Sequence, residues 1–434
     1  MNKQCWVYGF VFVATILLNA QDERRVASEN PAKGAADPSV QFVELLRQAE
    51  AGNTYAQFAV GHAYQTGTGV AKDEAVAARW CRQSAQNGFA EGQNCIGFLY
   101  EHGLGVSRDF DAALSWLSRA AQQNLALAQY NLGHMYQHGE GAPLDHAQAV
   151  RLYSQAAAQG LARARNKLGV AYLYGDGVPQ NLTTAFELFH LAATQDDPGA
   201  QQNLATMYLE GKGIPRNYPE ALKWFGLAAS QGIVQASYSL AYMYENGNAV
   251  RRDPAKAAEF YRAAAERGFA NAQLELGRLY MIGRGVQQDN FESAQWFRRA
   301  AEQGLPLAEN ALGCMYFRGT GVPRDYPQAA DWFQKAAQRN NALAQSNLAV
   351  LYQSGLGVRL SYSEAYKWFA LAAQGGHAES RQALKQLMQI MTRNQLHDGE
   401  AAVSDWLSQR DNSALASQRV EAGELNSYIS NNQE

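Results

Sequence analysis

From Asn53 to Gly376 the apolar and polar positions recur every 36 residues, in nine consecutive units with no insertion or deletion between them. Position twelve of each unit is tyrosine: Tyr64, Tyr100, Tyr136, Tyr172, Tyr208, Tyr244, Tyr280, Tyr316 and Tyr352. In the third unit the apolar or small positions four, eight, nine, eleven and twelve are Ala128, Leu132, Gly133, Met135 and Tyr136, the spacing of one helical face. Glycine at position fifteen, from Gly67 to Gly355, predicts the end of that helix, because left-handed backbone suits a C-cap. Asp or Asn at position twenty-one (Asp73, Asp109, Asp145, Asn181, Asn217, Asp253, Asp289, Asp325) then predicts the N-cap of a second helix.

A two-helix unit cannot bury its apolar face alone, so the units must stack and share one continuous core. Within the second helix, alanine at position thirty-three in every unit offers a hole, and the bulky residue at twenty-eight is the expected knob. Tryptophan fills that slot at Trp80, Trp116, Trp224, Trp296, Trp332 and Trp368. A larger residue in the alanine pockets would overpack them by about 1–3 kcal/mol.

The eighth unit shows the pattern most fully, with Ala308, Leu312, Gly313, Tyr316, Gly319, Gly321, Asp325, Ala329, Trp332, Ala336 and Ala337 in their slots. It resembles the Sel-one-like repeat, a relative of the tetratricopeptide repeat with a longer inter-helix loop. The resemblance covers Asn53 to Gly376 and implies an all-α fold, a right-handed α-solenoid of stacked helix-turn-helix repeats. It also implies a non-enzymatic adaptor; extracytoplasmic bacterial members include envelope scaffolds, regulators and host-interaction factors. Two departures bear on local loop geometry: Ala249 replaces the second loop glycine of unit six, and Gln195-Asp196-Asp197-Pro198 closes unit four.

The ends read differently from the repeats. Lys3, the apolar run Cys5 to Leu18 and the small residues around Ala20 predict a signal peptide over 1–20, too short for a comfortable membrane span. A polar, flexible linker is expected over 21–39 and a capping helix over 40–52. After the repeats (53–376), capping helices are expected over 377–410 and a flexible tail over 411–434. The expected location is therefore periplasmic or secreted, with no stable membrane span once the signal is cleaved. A formal charge of −3 with acids and bases interspersed argues against nucleic acid as a partner.

A binding face should lie where the units differ. Positions three, six, ten, thirteen and fourteen of the first helix form a stripe beside the core stripe, where related helical repeats place a concave groove. Its residues are Tyr55, Phe58, His62, Phe98, His102, Tyr130, His134, His138, Tyr174, Tyr238, Tyr242, Arg278, Phe317 and Arg318. Aromatic residues with Arg and His are frequent anchors of protein recognition, so the expected partner is a protein or peptide segment held in that groove. The competing reading is that these side chains merely fill the groove.

His134 and His138 are four apart on one helix, and His102 takes the equivalent slot one unit earlier. No neighbouring Cys or well-placed carboxylate completes a ligand set, so no metal and no cofactor is expected. Cys81 and Cys95 stand seven residues either side of Gly88 and would face each other across an antiparallel helix pair. They could form a disulfide in an oxidising compartment; two separate buried thiols are the alternative. No nucleophile elbow, zinc-protease helix or phosphate loop is present, and no catalytic residue is assigned. The chain is expected not to be an enzyme; the alternatives are a cell-envelope enzyme, which would need a converging acid-bearing cluster, or a secreted host-interaction factor.

Overall fold

The computed structural model describes residues 38–410; the expected signal peptide, most of the expected linker and the tail lie outside them. The described residues form helices joined by turns, with no strand among them. In the third repeat, helix A runs Ala126–His138 and helix B runs His146–Ala158. Helix A ends on Gly139, whose left-handed backbone lets its N–H donate to the Met135 carbonyl. The N–H of Asp145 donates to the Tyr136 carbonyl at 2.9 Å, and the Asp145 side chain accepts from the N–H of Gln148 to cap helix B. The same return bond to the tyrosine carbonyl recurs in every repeat, from Asp73 to Tyr64 through Ser361 to Tyr352. The backbone carbonyl at position twelve therefore closes the turn, a bond that does not depend on the side chain there.

The second loop glycine has a separate reason. A Cβ on Gly105 would stand 2.0 Å from the Glu74 carbonyl oxygen, and one on Gly285 would stand 2.0 Å from that of Pro254. Each loop lies directly on the first turn of helix B of the preceding repeat, where a side chain has no room. Repeat six carries Ala249 at this slot, at a φ of 64°.

The knob of each hairpin differs from the sequence expectation. Position twenty-nine, rather than twenty-eight, is the deepest: Cys81, Leu117, Tyr153, Phe189, Phe225, Tyr261, Phe297, Phe333 and Phe369 are each at most 2 % exposed. In repeats one, two, three, seven and eight the glycine at position nine of helix A makes the room for it. A Cβ on Gly133 would meet the Tyr153 ring at 2.9 Å, and one on Gly313 would meet Phe333 at 2.6 Å. At position twenty-eight Trp80, Trp116 and Trp332 are half-buried, whereas Trp224, Trp296 and Trp368 are buried. Trp296 belongs to an apolar cluster that includes Ala257 and Ala264 of the preceding repeat and Leu276 of its own. Cations lie over several of these indoles, Arg119 at 4.8 Å from Trp116 and Lys335 at 3.8 Å from Trp332.

A polar ladder joins neighbouring repeats inside this apolar frame. Gln93 donates to the Ala85 carbonyl of the preceding repeat at 3.4 Å, and its own side-chain oxygen accepts from Gln123 at 2.8 Å. Gln201 with Ala193 and Gln231, and Gln273 with Ala265 and Gln303, repeat the arrangement. Each buried amide thereby satisfies a carbonyl at the end of the helix before it.

The chain divides into two units, residues 1–188 and 189–434, the division falling within helix Leu182–Ala193. The first unit is a stack of hairpins preceded by helix Pro38–Glu50, which starts inside the segment expected to be linker. Proline is welcome at a helix start, where its missing N–H has no partner to lose. Phe42 of that helix meets Tyr64 edge-on at 5.4 Å. A disulfide joins Cys81, on helix B of repeat one, to Cys95, on helix A of repeat two, with their Cα atoms 5.8 Å apart. The second unit is likewise a stack of hairpins. It ends in helix Ala378–Met388 and a helix over 393–410, whose Trp406 lies edge-on to Trp368 at 5.1 Å.

Candidate functional site

The variable stripe of helix A differs in accessibility from residue to residue. In the first unit Tyr55 is 60 % exposed and Tyr174 is also exposed. Phe58 and His62 are half-buried, and Phe98 stacks on His102 with ring centres 4.1 Å apart. Tyr130 is only 7 % exposed and packs against Tyr153 at 5.7 Å, so it belongs to the core rather than to a groove surface. The rings of His134 and His138 stand 4.3 Å apart. In the second unit Tyr242 is 47 % exposed, whereas Tyr238 is packed edge-on against Tyr261 and Phe269. Phe317 meets Tyr326 at 5.4 Å, and Arg318 is exposed. Arg278 is committed to two carboxylates, donating at 2.6 Å to Glu275 and at 2.6 Å to Glu245.

Glu245 marks a cluster that sequence reasoning missed. It occupies position thirteen of repeat six and is buried, yet it is fully compensated. Tyr261 donates its hydroxyl to it at 3.1 Å, and Arg278 and Arg284 of repeat seven reach it at 2.6 and 3.5 Å. Charged donors at that distance are the arrangement a buried carboxylate requires.

The first unit has a carboxylate at the same register position, Glu101 of repeat two, 8 % exposed. Where repeat seven places Arg278 and Arg284, repeat three places His134 and Glu140. Where Tyr261 donates to Glu245, the equivalent residue beneath Glu101 is Leu117, which has no donor. His134 Nδ1 lies 3.4 Å from Glu101 Oε1 and 4.0 Å from Glu140 Oε2, while His102 Nδ1 lies 3.9 Å from Glu101 Oε2. Burial pushes the Glu101 carboxyl up to about 7, with His102 pulling it back. Burial, and then the Lys167 charge, bring His134 down to about 4, so its imidazole is neutral at pH 7. Glu140 is raised by burial and by the Glu101 charge.

The sequence expectation that no carboxylate attends His134 is thus revised, because the stacking of repeats two and three supplies two. A signal existed: position thirteen is acidic only at Glu101 and Glu245 among the nine repeats.

A family model for the Sel1 repeat matches nine consecutive segments: 54–89, 90–125, 126–161, 162–197, 198–233, 234–269, 270–305, 306–341 and 342–377. This chain belongs to the Sel1 repeat family. Among solved structures it is similar to a Sel1 repeat protein from Oxalobacter formigenes, at 28% identity and a TM-score of 0.54, covering 84% of this chain and 99% of that one. A protective antigen of uropathogenic Escherichia coli strains, displaying an SLR fold, is 29% identical over 87% of this chain and 97% of that one, with a TM-score of 0.40. No curated protein matches the chain. The Sel1 repeat assignment agrees with the all-α stack of helix-turn-helix units and with solenoid relatives. Sel1 repeat proteins are generally protein-interaction scaffolds and typically not enzymes. No described helix is long and apolar enough to cross a membrane.

Proposed function

We propose that this Sel1 repeat chain is a non-enzymatic interaction scaffold working outside the cytoplasm, holding a peptide or protein segment in a groove along the helix A stripe. The observation that carries the reading is the division of labour along the repeat. Positions nine, twelve, seventeen and twenty-nine are spent on packing and turn closure, while the stripe presents Tyr55, Tyr174 and Tyr242 to solvent. Exposed tyrosines combine a large rigid contact area with a hydroxyl, which suits them to anchor a partner. The Cys81–Cys95 disulfide supports an oxidising compartment, since such bonds persist outside the cytosol, and the apolar run before residue 20 supports export.

Affinity capture with the full chain tests the groove. Wild type is expected to retain a partner that a Tyr55→Ala/Tyr174→Ala/Tyr242→Ala variant loses at unchanged helicity. Equal recovery by both chains rejects the stripe as the binding face.

A further inference from the structure

We infer that Glu101, His134 and Glu140 form a site for a divalent transition cation such as Zn2+, clamping repeat two to repeat three. One ligand atom from each of the three residues lies within 4.8 Å of the others. Donors on a tetrahedral ion with bonds of about 2.0–2.2 Å stand about 3.3–3.6 Å apart. The separation between His134 and Glu101, 3.4 Å, already matches, and the half-buried Glu140, 4.0 Å from His134, would have to approach by about 0.5 Å. Two carboxylate oxygens and one imidazole nitrogen are a donor set of the kind zinc takes, leaving a fourth position for water.

The second unit holds the corresponding cluster with a different charge balance. At the same three register positions it places one carboxylate and two guanidinium groups, Glu245 with Arg278 and Arg284, and adds a tyrosine hydroxyl. The first unit keeps the buried carboxylate, adds a second one in Glu140, and replaces both fixed cations and the hydroxyl donor. A buried carboxylate facing another carboxylate is costly unless a cation sits between them. Lys167 and Arg108 act on His134 and Glu140 from outside the cluster, and a dication would place charge between the two carboxylates, as Arg278 and Arg284 do beside Glu245 in repeats six and seven. Glu101 is also more than nine-tenths buried, with the imidazoles of His134 and His102 at 3.4 and 3.9 Å from its carboxylate. A metal here would extend the reinforcement begun by the Cys81–Cys95 disulfide, which joins repeat one to repeat two.

The test is titration of Zn2+ into the full, tag-free chain after chelator treatment, followed by calorimetry and thermal melting. Wild type is expected to bind about one ion per chain, with a raised melting temperature. His134→Ala and Glu140→Gln should each weaken binding by more than the roughly 10–100-fold that outer-shell changes around a metal cause. His134→Arg, which copies Arg278, should abolish zinc binding while raising the melting temperature of the metal-free chain. No zinc bound by the wild type, or undiminished binding by folded Glu140→Gln and His134→Arg chains, overturns the site.

Discussion

Gln303 donates its side-chain amide to the side-chain oxygen of Gln273 at 2.7 Å, and Gln273 in turn donates to the Ala265 carbonyl at 3.0 Å. This relay runs from one helix B through helix A to the helix B before it and ties neighbouring repeats together. Not every repeat keeps it: the glutamine slot holds Arg165 in repeat four, Ser237 in repeat six and Glu309 in repeat eight. Repeat eight has Glu309 and Arg339 at the corresponding positions; the two are paired, but a carboxylate cannot donate to the preceding alanine carbonyl, and Glu309 Oε2 is left buried without a hydrogen bond.

Glu309→Gln should therefore restore the ladder and stabilise the chain at pH 8 by about 1 kcal/mol, the worth of a typical buried hydrogen bond. Burial holds the Glu309 carboxyl above its ordinary 4.5, with Arg339 pulling it back in part. A carboxyl whose pKa is higher folded than unfolded gives its full stabilisation below the unfolded value and loses it as pH rises through the folded one. The advantage of the glutamine variant should accordingly grow between pH 4 and pH 8. Melting temperatures at both values check this, and a larger gain at pH 4 would contradict it.

Phe297→Ala should destabilise by about 3–5 kcal/mol, since a fully buried ring against Gly277 leaves a cavity that cannot collapse. Trp332→Ala should cost less, about 1–2 kcal/mol, because the indole is half-exposed. Urea unfolding of the two variants decides which position is the hairpin's plug, and equal losses would restore the tryptophan reading.

Ala249→Gly should stabilise. Ala249 sits in left-handed backbone at φ 64°, where an L side chain costs about 1–2 kcal/mol. Glycine removes the strain but adds freedom to the unfolded chain, so the net gain should be about 0.5–1 kcal/mol. A lower melting temperature for the variant would show that the loop of repeat six has found another accommodation.

Reducing the disulfide should lower stability by about 3 kcal/mol in the chain-entropy account for a loop with a separation of 14 residues. The Cys81→Ser/Cys95→Ser pair should melt at the temperature of the reduced wild type. A reductant-insensitive melt would mean that repeats one and two hold together without the bridge.

The sequence by itself determined the repeat: Tyr64 to Tyr352, the paired loop glycines and the Asp caps act within about twenty residues of one another, so a 36-residue period exposes them. Local chemistry of that kind leaves a legible trace, and so does the separation of Cys81 from Cys95 about a single turn. The tertiary structure alone decided what faces what between units. Whether position twenty-eight or twenty-nine plugs the hairpin depends on a rotation of about 100° around helix B. That Glu101 meets His134 and Glu140, while Tyr130 sinks into the core, depends on the offset of one helix A against the next. Residues 33 to 39 apart come together only once the stack has formed, and no spacing along the chain records that distance.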